Sequence, residues 1–179
     1  MYVKEIFDPV IDFYLMRLKR KREIMFFLAL PLLVGFCFIL FTFYFNAKRQ
    51  VIIDEFILDL LNQLITVLTL FISFSMAYLS VIISSSSKNI DEMKNTYSKY
   101  YDINGASCTL FQVLMSDLTY TLIIEIIFLL GIFFEKFLMY MCTDLGLKII
   151  ITIDVAIMVH VLILMAIAVK NIYYSFWKR

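Results

Sequence analysis

Four carboxyl or imidazole side chains interrupt the last two apolar runs of the chain: Asp117, Glu125, Asp154 and His160, the last being the only histidine. Asp117, Thr121 and Glu125 fall at i, i+4 and i+8, one face of a helix. Charged groups at membrane depth are costly and mark a bundle interior, a partner or an ion pathway. Counted from the outer helix ends, Glu125 and His160 lie roughly 14 and 20 Å deep at 1.5 Å per residue. In adjacent antiparallel helices they would meet, either as a polar clamp or as a proton-sensitive switch, since imidazole titrates near physiological pH. Asp117, nearer the cytoplasmic end, would face a vestibule or cap a loop. Proton-coupled transport needs an acid reached alternately from both sides, and neither an inverted repeat nor an interrupted helix is visible.

A second constellation occupies an earlier apolar run. Glu55, Asp59, Asn62, Thr66, Thr69, Ser73, Met76 and Ser80 recur at steps of three and four, with Ser84 and Ser87 continuing the series. At 100° per residue they fall within an arc of about 100°. With several copies around an axis, this stripe would line a pore with hydroxyl and amide rings. Glu55 and Asp59 would form an acidic, cation-preferring mouth and Met76 a narrow apolar ring. The alternative is that the small hydroxylated residues let helices approach closely inside one bundle.

Soluble catalysis finds little support. There is no Gly-rich phosphate loop, no His-Glu-x-x-His and no nucleophile elbow. Cys37, Cys108 and Cys142 have neither disulfide nor metal-ligand spacing and read as packing residues. Neither a metal nor a cofactor is expected.

Positioning these groups requires membrane helices. Hydrophobic residues make up 63% of the 179 and charged residues 17%, below the quarter that a soluble surface uses. Four apolar runs exceed the ~20 residues that cross a bilayer: Ile24 to Phe45, Phe56 to Ile83, Thr109 to Phe134 and Leu147 to Val169. No signal peptide precedes them, and no alternating pattern suggests a barrel. The expectation is an all-α integral membrane protein, residues 24–179 forming a four-helix domain.

Cations outside the hydrocarbon set orientation. One side holds Lys4, Arg17, Lys19, Arg20, Lys21, Arg22, Lys88, Lys94, Lys99, Lys170, Lys178 and Arg179; the other holds Lys48, Arg49, Lys136 and Lys148. The excess places both termini and loop 84–107 in the cytoplasm. Residues 1–23 read as an interfacial amphipathic helix whose basic end meets anionic headgroups. Tyr173, Tyr174 and Trp177 read as an aromatic belt.

In loop 84–107, Lys94 and Lys99 interleave with Tyr97, Tyr100 and Tyr101, a chemistry that holds phosphates and stacks bases. Asp91, Glu92 and Asp102 offset the lysines, so a helical extension with a turn at Asn104-Gly105 is the plainer expectation. A ligand there would pull on the cytoplasmic end of the stripe helix, which makes the loop a candidate control site.

Four spans, a basic amphipathic start, the striped second span and a short control loop together resemble the small four-span membrane effectors or sensors of bacterial antiphage defence, of the Hailong or Kiwa type. The resemblance is architectural and covers the whole chain. It implies a homo-oligomer such as a tetramer in the inner membrane, depolarising the cell when a cytoplasmic partner or a nucleotide-type signal reports infection. The runner-up is a membrane sensor or scaffold that conducts no ions.

Overall fold

The computed structural model describes residues 2–18, 20–46, 51–85, 87–102, 105–139 and 141–177, with side chains outside 2–6, 45–46, 51–55 and 174–177. Six helices and one hairpin follow in the order α1 (Tyr2–Arg17), α2 (Lys21–Asn46), α3 (Val51–Ser84), α4 (Lys88–Asn95), β1 (Tyr97–Tyr101), β2 (Ser107–Thr109), α5 (Leu110–Leu138) and α6 (Asp144–Trp177). The protein is all-α apart from this hairpin. Three helices are long and apolar enough to cross a membrane, over Lys21–Tyr44, Phe56–Ser84 and Asp144–Tyr173. At 1.5 Å per residue each exceeds the ~30 Å hydrocarbon thickness.

The long helices pack chiefly as a row. α2 lies on α6, α6 on α5 and α5 on α3, so the consecutive helices α2 and α3 occupy opposite edges. Gly35 permits the closest approach in the first pair: a Cβ there would stand 3.1 Å from Ala156 Cβ and 3.4 Å from the Thr152 carbonyl. Small residues at such a crossing gain van der Waals contact where lipid supplies no hydrophobic drive. The main core joins α3, α5 and α6 through Leu61, Leu68, Ile132, Ile151 and Val161.

α5 carries half of the buried polar residues among those described, namely Ser116, Asp117, Thr121 and Glu125. Its start is set by a capping box in which the Thr109 hydroxyl accepts from Gln112 N–H and the Gln112 side chain accepts from Thr109 N–H. α4 opens on Ser87, whose side chain accepts from Ile90 N–H.

The 84–107 segment departs from a plain helical extension. After α4 it turns into the antiparallel β1–β2 pair, registered Tyr97 with Thr109 and Tyr101 with Ser107. The turn uses Gly105 at φ +80°, a conformation glycine adopts without a Cβ clash. Asp102 Oδ1 accepts from Ala106 N–H at 2.7 Å. The chain reverses between Asp102 and Ala106, and Asn104 of the expected turn lies outside the described residues.

α1 is docked on the bundle at its C-terminal end. Phe13 is 1% exposed and stacks on Tyr120 with centroids 3.9 Å apart and planes 13° apart. Arg17 is buried against Asp117. This corrects the expectation that the whole basic end meets headgroups: Arg17 instead neutralises a buried acid. Lys148, counted from the sequence with the cations of the outer side, is also buried, its ammonium 5.7 Å from the Phe43 ring centroid. Lys4, Lys19, Lys48, Arg49, Lys178 and Arg179 lie outside the described side chains, as do Tyr174 and Trp177.

Candidate functional site

The stripe of α3 is turned out of the protomer. Asp59, Asn62, Thr66, Thr69, Ser73, Met76 and Ser80 are all exposed, whereas Ile57, Leu61, Leu64, Leu68, Ser75 and Ile82 on the other face are buried. Within the protomer these positions do not serve as close-packed helix contacts, and among the described residues only Asn62 is bonded to another helix. Glu55 extends the series, but its side chain lies outside those described.

The hydroxyls of the stripe are bonded along their own helix. Thr66, Thr69, Ser73 and Ser80 each donate to the carbonyl four residues earlier, at 3.1, 2.8, 2.8 and 2.9 Å. Their donors are satisfied while their oxygen lone pairs face outward, a surface that accepts hydrogen bonds without demanding them. At the far end Lys136 Nζ donates to Asn62 Oδ1 at 2.6 Å. Asp59 stands exposed one turn beyond Asn62. Stripe, acid and amide therefore share one outward surface.

Inside the bundle the ionisable groups pair differently from the sequence expectation. His160 does not meet Glu125. Its Nε2 lies 3.0 Å from Tyr120 Oη and its Nδ1 3.1 Å from the Phe27 carbonyl. Tyr120 Oη also lies 2.9 Å from Tyr14 Oη, so a polar chain runs from α1 through α5 to α6 and α2. The reason is register: Asp117 meets Asn171 across the α5–α6 contact, with Asn171 Nδ2 donating to Oδ2 at 3.1 Å. Glu125, two turns beyond Asp117, faces α3 instead. It is fully buried near Ser75, whose hydroxyl points to Met165 Sδ at 3.6 Å. Among the described residues neither Glu125 oxygen has a hydrogen-bond partner.

Asp154 is 1% exposed and faces Glu135 of α5, a residue the sequence did not single out. Two acids on facing helices would repel if both were charged, so the α5–α6 contact is sensitive to their ionisation. The Arg17–Asp117 pair was likewise unread: Asp117 needed a cation, and the one that reaches it lies 100 residues away.

The five control-loop residues do not form one site. Tyr97, Lys99 and Tyr101 are exposed on the hairpin, and Lys94 lies 3.7 Å from Asp91 and 5.3 Å from the Phe111 ring centroid. Tyr100 alone turns inward. Its hydroxyl donates to Glu23 Oε2 at 2.9 Å, and Arg17 and Arg20 lie 5.4 and 5.0 Å from its ring centroid. Burial, reinforced by the bond to Glu23, holds the Tyr100 phenol above its ordinary pKa. Burial also raises the Cys108 thiol, the reverse of what a reactive nucleophile needs.

Comparison with family models, with characterised proteins and with solved structures finds no match.

Proposed function

We propose that the protein is an oligomeric, gated, cation-preferring pore of the bacterial inner membrane, with α3 innermost. α5 is the fourth span of the reading, and both termini and the α4 hairpin face the cytoplasm. The observation that carries it is the outward exposure of the stripe from Asp59 to Ser84 on an edge helix. A protomer with four long helices has no lumen of its own, and a free polar edge is what a ring of copies needs at its centre. The opposite edge suits lipid: Leu32, Leu33, Phe36, Leu40 and Phe41 of α2 are exposed and apolar.

Selectivity falls to Asp59 with Glu55, since rings of carboxylates favour cations. Met76, more than half exposed, supplies the apolar constriction. In the setting drawn from the antiphage resemblance, opening depolarises the infected cell. Reversal potentials in planar bilayers test the reading. Cation preference that falls in Asp59→Asn supports it, and an electrically silent oligomer favours the sensor or scaffold. That second reading draws on the same exposed edge, which would then join protomers stripe to stripe without water between them.

A further inference from the structure

A cavity of about 890 Å³ opens between the α1–α2 turn, α4 and the adjoining ends of α5 and α6. Its wall is divided by chemistry. Phe26, Leu110 and Ile167 are apolar, while Arg17, Arg22 and Lys170 bring cations. The formal charges of the wall balance, because Glu23, Glu92 and Asp117 also border it, but two of those acids are already engaged. Asp117 takes Arg17 and Asn171; Glu23 takes Arg20 and the Tyr100 hydroxyl. Arg22 and Lys170 make no ion pair with a described carboxylate.

A second observation points to an anion. Arg17 is 2% exposed, and its guanidinium donates to the Phe13 carbonyl at 3.0 Å and to Asp117, yet its Nε–H has no partner among the described residues. A buried donor left unmade is costly, and this one belongs to a side chain bordering the cavity. Depth supplies the third. The apolar stretch of α2 starts at Lys21 and that of α6 ends at Tyr173, so Arg22, Phe26, Ile167 and Lys170 stand where a span meets the headgroups.

We propose that this cavity binds the phosphodiester of an anionic phospholipid. Arg22, Lys170 and Arg17 Nε donate to its oxygens, and the acyl chain runs along Phe26 and Ile167. Arg provides planar directional donors and Lys a compact charge, a pairing suited to phosphate. The apolar wall and the interfacial depth favour a lipid over a water-soluble phosphate compound with the same chemistry. The site rests on the placement of the spans in a bilayer and not on conduction. Because α4 follows α3 after Ser84, occupancy would hold the end of the stripe helix through α4.

The test uses the full chain in detergent, with native mass spectrometry and thermal melting. Phosphatidylglycerol should be retained and should raise the melting midpoint, whereas phosphatidylcholine should do neither. Arg22→Gln/Lys170→Gln, which leaves the Arg17–Asp117 pair intact, should fold and weaken phosphatidylglycerol binding at least about tenfold, since charge-assisted contacts are lost. Equal retention of phosphatidylcholine, or full retention of phosphatidylglycerol by the double variant, would overturn the proposal. So would stabilisation by millimolar inorganic phosphate or ATP without retention of phosphatidylglycerol, which would assign the site to a soluble phosphate. A silent bilayer with lipid bound would sink the pore alone.

Discussion

Asp117 and Arg17 are each other's condition for burial, with side chains 5% and 3% exposed. Removing one leaves an uncompensated charge beside the α5–α6 contact, so Asp117→Ala should destabilise the fold by about 3–5 kcal/mol, measured by thermal or denaturant unfolding in detergent. Converting both partners, as Arg17→Met with Asp117→Leu, should recover most of that loss; no recovery would mean that the pair does more than neutralise itself. Glu125 predicts the opposite sign. Its carboxyl is buried without a hydrogen-bond partner among the described residues, so Glu125→Met should be neutral or stabilising. A stabilised variant that no longer conducts would mark Glu125 as part of the gate. Tyr100 gives a pH dependence. Its folded pKa is raised, so its contribution is present below about pH 10, the unfolded value, and is lost as pH rises through the folded one. Tyr100→Phe should remove that alkaline loss, read as the change in melting midpoint between neutral and alkaline pH.

At the scale of elements, apolar runs made the long helices legible, because in lipid a backbone satisfies itself only as a helix or a closed barrel. The run Ile24 to Phe45 sits inside α2, and Phe56 to Ile83 inside α3, with each helix extending past its run by several residues. The β1–β2 hairpin was not legible. Tyr-Ser-Lys-Tyr-Tyr lacks a clean apolar alternation, and the Ser98 hydroxyl that donates to the Cys108 carbonyl at 2.8 Å across the pair has no signature in the sequence pattern. The ring-to-ring contact of Phe13 with Tyr120 and the His160–Tyr120 bond were also hidden, since they depend on helix register rather than spacing within a helix. The α2–α6 crossing yields its own prediction. Gly35→Leu would drive a side chain into Ala156 and the Thr152 carbonyl and should separate the two helices, lowering thermal stability by about 1–3 kcal/mol; Gly131→Ala, with open space around it, should change little.

On the scale of the molecule, the row α2–α6–α5–α3 gives the protein two unlike edges. The α2 edge is apolar and the α3 edge bears hydroxyls, an amide and an acid. The stripe was readable from its three-and-four spacing, but its exposure was not, since no pattern within α3 says which helices neglect to cover it. If α3 lines a pore, this edge faces water in the assembled membrane protein. With the native cysteines replaced, single cysteines at Thr66, Thr69, Ser73 and Ser80, and at the exposed apolar positions Leu70, Phe74 and Val81, are exposed to a membrane-impermeant thiol reagent in reconstituted vesicles. Modification is expected with the period of the stripe, the four polar positions reacting and the three apolar ones protected. Uniform protection of all seven would contradict it.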